Sequence, residues 1–159
     1  MPDMDESKMT FEELLNRDDR LIYTNVGVSM LPLLREGRDI MQIEALSSSP
    51  KRYDTVLFRR EGIKGRGRYV LHRILKRKGE KYFIAGDYDT RGELVSREQI
   101  LGVLTAVFRE GRVIKTSDFK YKLYVRFWCA AYHLRFFILK LYRGIKYLIS
   151  AVKYKIFGR

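Results

Sequence analysis

The chain changes its hydrophobic period once, and that change constrains its architecture more than any other feature. Ahead of Thr116-Ser117-Asp118 the apolar runs are short, and stretches such as Asp39-Ile40-Met41-Gln42-Ile43 alternate. Behind it, Leu123, Phe127, Ala131, Leu134, Ile138, Leu141, Ile145, Leu148 and Val152 fall three or four apart. Alternation sends neighbouring side chains to opposite faces of a strand, whereas the longer spacing lines one side of a helix. The expectation is a mostly β chain in three parts. Residues 1–20 form a helical lead-in, 21–116 an antiparallel β domain, and 117–159 a basic amphipathic helical tail.

Within that frame Thr10-Phe11-Glu12-Glu13 reads as a capping box, with Met9 and Leu14 placed for a hydrophobic staple, and opens a short helix from Phe11 to Asn16. Strands are expected over Leu21 to Val28, Asp39 to Ile43, Thr55 to Phe58, Tyr69 to Leu75, Lys81 to Ala85, Ile100 to Phe108 and Val113-Ile114. Ser47-Ser48-Ser49-Pro50 and the Gly62 to Gly67 segment are loops. Lys64-Gly65-Arg66-Gly67-Arg68 reads as a solvated hairpin tip as readily as an RNA-binding patch.

The formal net charge is +13, and residues 120–159 hold ten Lys/Arg and no Asp/Glu. Such a tail needs an acidic partner, and its aromatic, apolar stripe suits an anionic membrane surface better than nucleic acid. Its longest charge-free run, Phe127 to Leu134, is far short of the roughly 18 apolar residues a membrane span needs. Peripheral attachment through residues 120–159 is therefore expected, with a break at Gly144 and the cytoplasmic face favoured. The acidic, polar opening MPDMDESKMT reads as neither a secretory signal nor a membrane anchor. The single cysteine, Cys129, excludes an internal disulfide and a cysteine-rich zinc site. With no Gly-rich phosphate loop and no cluster of metal-ligating residues, neither cofactor nor metal is expected.

Chemistry points to Asn25-Val26-Gly27-Val28-Ser29-Met30-Leu31-Pro32, followed by Leu71-His72-Arg73 and Gly86-Asp87. A serine hydroxyl is a poor nucleophile unless a base takes its proton and a third group holds that base. The chain has two histidines. His133 lies in the tail and reads as packing, which leaves His72 as the base. Taken singly each residue has an ordinary reading: Ser29 a loop serine, His72 a hydrogen-bonded core histidine beside Val70 and Ile74, Asp87 a turn aspartate.

As an ordered set these blocks resemble the type I signal peptidases and their relatives, the self-cleaving SOS-response repressors. Gly27-Val28-Ser29-Met30-Leu31-Pro32 is similar to the family's serine box. Arg52-Tyr53-Asp54-Thr55-Val56-Leu57-Phe58 resembles its Gly-Asp-Ile-Val-Val-Phe strand, with Tyr53 in the place of glycine. Tyr69-Val70-Leu71-His72-Arg73-Ile74 and Ile84-Ala85-Gly86-Asp87 complete the order, and Gln99-Ile100-Leu101-Gly102-Val103 also fits. His72 stands where most bacterial members have lysine, as in the endoplasmic-reticulum-type branch. The resemblance implies a serine endopeptidase with Ser29 as nucleophile, His72 as general base and Asp87 as its supporting carboxylate. Asp89 and Glu93 remain open as alternatives for that contact. It also implies oxyanion donors from the backbone around Ser29, and a peptide or protein substrate bound extended with small side chains flanking the cut.

Two other functions fit the same residues. One is a self-processing regulator of the SOS-repressor kind, against which stand His72 in place of lysine and the lack of a helix-turn-helix segment ahead of Ser29. The other is a non-catalytic β module carried to membrane or nucleic acid by its basic tail.

Overall fold

The computed structural model describes residues 9–24, 26–61 and 68–132, and beyond these 134, 137, 138, 140–142, 144–147 and 149. The Gly62 to Gly67 loop and His133 lie outside the described residues. The protein is a mostly antiparallel β sheet with short helices at either end. Helix α1 is Phe11–Asp18, and the strands are β1 Arg20–Thr24, β2 Ile40–Ala45, β3 Thr55–Arg60, β4 Arg68–Lys78, β5 Lys81–Ala85, β6 Gly92–Val95, β7 Ile100–Arg109 and β8 Arg112–Lys115. Helix α2, Phe119–Ala130, lies after β8.

The capping box at Thr10 forms as its residue types dictate. The Thr10 hydroxyl accepts from the Glu13 amide, and the Glu13 carboxylate accepts from the Thr10 amide. Asp19 ends the helix in the left-handed region at φ 54°. The first strand stops at Thr24, four residues short of the expected Val28, because the chain must turn to carry Ser29.

The strands lie in the order β1-β2-β7-β3-β4-β5-β6, with β8 also on β7. Strand β6 is an addition to the expected set, since Gly92-Glu93-Leu94-Val95 is short and buries only Val95. Central β3 is buried at four successive positions, Thr55 to Phe58. Its period of two divides them between two cores. Leu57 packs with Leu15, Met30, Leu34, Met41 and Leu104, whereas Val56 and Phe58 pack with Ile74, Ile84 and Ile100. Burial of those two clusters fixes strand register, because a slip by one residue would exchange them.

Helix α2 begins at the composition boundary, with Asp118 as its N-cap. It does not project from the domain as a separate tail. Tyr121, Val125 and Cys129, one turn apart, are buried against Leu75 and Ala85. The stripe seen in the sequence is a different face of the same helix: Leu123 is 44% exposed and Phe127 71%. The described residues from 134 to 149 are also helical, Gly144 among them, and Leu134, Phe137, Ile138, Leu141, Ile145 and Ile149 are exposed. Among the described residues no helix is long and apolar enough to cross a membrane.

Candidate active site

The serine turn comes directly after β1. Gly27 takes a φ of 95°, which a side chain would strain, and its amide donates to Glu36 Oε1 at 2.8 Å. Leu31 N–H closes on Val28 O at 3.1 Å and Leu34 N–H on Met30 O at 2.9 Å, with a cis Leu31–Pro32 bond between them. Met30 and Leu34 are pinned in the core. Below the turn, buried Asp39 accepts from Arg109 Nε at 2.8 Å and from the Arg35 amide at 2.7 Å. Arg109 also donates to Leu33 O at 2.6 Å. Burial alone would raise the Asp39 carboxyl, but Arg109 and the Arg35 amide hold it below the ordinary aspartate value. Ser29 itself is half-buried. Among the described residues, the amides of Ser29 and Met30 have no protein acceptor.

His72 comes from β4, where it pairs with Val56 of β3. Strand β5 joins the other side of β4 only from Arg73 onward. Among the described strands, the edge running from Arg68 to His72 is therefore unpaired. His72 is 5% exposed. Its Nε2 lies 3.3 Å from Asp89 Oδ2 and its Nδ1 3.9 Å from Glu93 Oε1. Nδ1 is buried and has no hydrogen-bond partner. Burial pushes the imidazole below its usual 6.5, and the charges of Asp89 and then Glu93 pull against that. Glu93 is in turn held by Arg60, whose Nε donates to it at 2.9 Å.

Asp87 does not support His72. Both of its carboxylate oxygens accept from Arg73, from Nε at 2.8 Å and Nη2 at 2.7 Å, and the two side chains are buried at 1% and 0% exposure. Arg73 Nη1 donates to Tyr53 O at 3.0 Å, so one guanidinium ties β4, the 86–89 loop and the 52–54 turn together. The physical reason is burial. A guanidinium in the interior demands a bidentate carboxylate, and Asp87 meets that demand. The carboxylate beside His72 is Asp89, two residues on.

Gly86 joins the serine turn to this loop. The Tyr88 amide donates to Ser29 O at 2.7 Å. A Cβ on Gly86 would stand 2.6 Å from Ser29 O and 2.5 Å from Asp89 Oδ2, so only glycine lets the two meet. The Ser29 carbonyl and the Asp89 carboxylate thus lie together at Gly86, and Asp89 in turn reaches His72 from a third segment. Ser29 Oγ forms no direct hydrogen bond to His72, and Asp89 Oδ2 lies 3.3 Å from the imidazole Nε2. Arg60, His72, Asp89 and Glu93 line an open cavity of about 550 Å³.

Helix α2 braces this loop from behind. Trp128 Nε1 donates to Asp87 O at 3.3 Å, and the Tyr121 hydroxyl lies 3.4 Å from Arg73 Nη1 and 3.5 Å from Thr55 Oγ1. Nothing in the residue pattern of α2 assigns it a part in the site. Tyr53, standing where the resemblance has glycine, has a φ of 77° in the left-handed region. Lys76, the lysine nearest His72 in the sequence, is exposed and lies 5.6 Å over the Phe83 ring. Among the described residues no His/Cys/Asp/Glu group could hold a metal ion. Comparison with protein-family models, curated proteins and solved structures gave no match to this chain.

Proposed function

We propose that the chain is a serine endopeptidase of the signal-peptidase type, with Ser29 as nucleophile, His72 as general base and Asp89 as the carboxylate that orients the base. The observation that carries the reading is the convergence on Gly86. The serine turn and the Asp89 carboxylate meet there, and Asp89 is paired to buried His72, 43 positions from Ser29 in the chain. The depressed proton affinity of His72 keeps the imidazole neutral at neutral pH, the form a base must have. For proton transfer the Ser29 hydroxyl must swing toward the ring, a tightening common when substrate binds. The amides of Ser29 and Met30 are available to the developing oxyanion. The unpaired edge of β4 from Arg68 to His72 offers an extended peptide a ladder that ends at the base. The left-handed Tyr53, at a glycine position of the family, is a further point of agreement.

The membrane assignment rests on α2 and the helical residues beyond it. One face of α2 is buried in the domain, and apolar side chains are exposed on its opposite face and at the described positions beyond it, from Leu134 to Ile149. The ten positive charges of residues 120–159 would repel a second copy of the same helix but attract an anionic bilayer surface.

Treatment with a fluorophosphonate probe tests the catalytic reading. The intact protein should be labelled at Ser29, and Ser29→Ala and His72→Ala should abolish labelling while each retains its β circular dichroism. Labelling that persists in His72→Ala, or never occurs in the wild type, would sink it and leave a binding module.

A further inference from the structure

Between the 46–55 segment and one side of α2 lies a cavity of about 760 Å³, within the usual range for small-molecule sites. It shares no lining residue with the His72 cavity. Four cationic side chains line it, Lys51 and Arg52 from the loop and Lys122 and Arg126 from the helix, against the single carboxylate of Asp54. Asp54 is already engaged, accepting the Lys51 amide at 2.7 Å, and burial raises its carboxyl above the ordinary value against the pull of Lys51 and Arg73. Lys51, Lys122 and Arg126 form no ion pair among the described residues. Arg52 is fixed in place, its Nε donating to Leu75 O at 3.0 Å and its guanidinium lying 4.6 Å over the Tyr53 ring.

A cavity with several unpaired cations, one of them an immobilised guanidinium, suits a ligand with several oxygens and more than one negative charge. Phosphate esters have that chemistry. We propose that this cavity binds a phosphate-bearing anion, presented either as the headgroup of a membrane lipid or as a free phosphate ester. The placement accommodates a lipid, because Lys122 and Arg126 directly adjoin exposed Leu123 and Phe127 on the helix. The inference does not depend on peptidase activity.

The test is calorimetric titration of the full chain with sn-glycerol 3-phosphate. Two double variants remove the same charge, Lys51→Ala with Arg126→Ala in the cavity and Lys140→Ala with Lys146→Ala further along the tail. Affinity should fall about tenfold or more in the cavity pair and stay nearly unchanged in the distal pair. In the wild type, the ester should also shield Lys51 and Lys122 from amine acylation while Lys140 reacts as before. No saturable binding by the wild type, or equal losses in the two pairs, would overturn the proposal. The source is read with phosphatidylcholine vesicles with and without phosphatidic acid. If a lipid supplies the phosphate, Leu123→Ser with Phe127→Ser weakens vesicle binding and spares the soluble ester. If a free ester supplies it, the cavity pair loses ester binding while vesicle binding is unaltered.

Discussion

Asp87→Asn removes the negative charge that faces Arg73 inside the protein. Arg73 is 0% exposed and Asp87 1%, so water cannot replace the lost partner. Breaking a buried pair from one side typically costs about 3–5 kcal/mol, because the remaining charge is left uncompensated. For a domain of this size each kcal/mol shifts the melting temperature by about 2–4 °C, so the variant should melt roughly 6–20 °C lower. Asp89→Asn acts on a different partner. Its carboxylate is a third exposed and touches His72 at 3.3 Å, so its loss should leave the melting temperature nearly unchanged. Reactivity toward the fluorophosphonate should instead drop on the order of 10²-fold or more, as when a base loses its orienting group. Differential scanning calorimetry and labelling rates, run on both variants, separate the assignments. An Asp87→Asn protein as stable as wild type but unreactive would refute them and return Asp87 to the catalytic group.

Three further outcomes are expected from the same geometry. Above pH of about 6.5 neither the folded nor the unfolded chain holds a proton on His72; below it the unfolded chain takes one up while the folded chain resists until its own lower midpoint. Stability should therefore decline as pH falls through that interval and level off beneath it. An NMR titration of His72 should show a midpoint below 6.5, moved lower still by Asp89→Asn, and a midpoint at or above 6.5 would contradict the burial argument. Gly86→Ala puts a methyl group 2.6 Å from Ser29 O and 2.5 Å from Asp89 Oδ2, so labelling of Ser29 should be lost with a destabilisation of about 1–3 kcal/mol; wild-type labelling rates would show that the two segments need not meet. Truncation after Ala131 should leave a folded domain whose binding to anionic vesicles is weakened, whereas truncation after Asp118 strips Tyr121, Val125 and Cys129 from the core and should lower the melting temperature sharply; equal melting of the two would show α2 to be dispensable.

The sheet is legible in the sequence because its strands announce themselves by local chemistry. Lys81–Ala85 matches its expected bounds to the residue, the Thr10 capping box arises from side chains that act within one turn of their own position, and α2 opens at the composition boundary. β6 is not legible, since Gly92-Glu93-Leu94-Val95 carries one buried residue and owes its strand to pairing with β5. The tail departs from expectation for a related reason. Its regular three-to-four spacing marks the apolar stripe, but Tyr121, Val125 and Cys129 occur once per turn on the other side, and a tyrosine and a cysteine do not stand out as a packing face. A helix apolar on two sides can dock with one and keep the other exposed.

The site shows the same division between local and distant causes. Order and residue type pick out Ser29, His72 and the Gly86-Asp87 loop, yet two aspartates spaced by one residue cannot be told apart by type. What separates them is a competitor: Arg73 comes directly after His72 on β4, so its side chain leaves the strand on the opposite face, and there it is wholly buried. Asp87 and Asp89 are likewise two apart, but the turn between them breaks the strand rule. Burial then decides, because an interior guanidinium tolerates no substitute for a bidentate carboxylate, while a histidine can be served by one that is a third exposed. The motif Leu-His-Arg followed by Gly-Asp-x-Asp thus holds two acid–base pairs interleaved along the chain, His72 with Asp89 at the proposed site of chemistry and Arg73 with Asp87 in the frame that holds it.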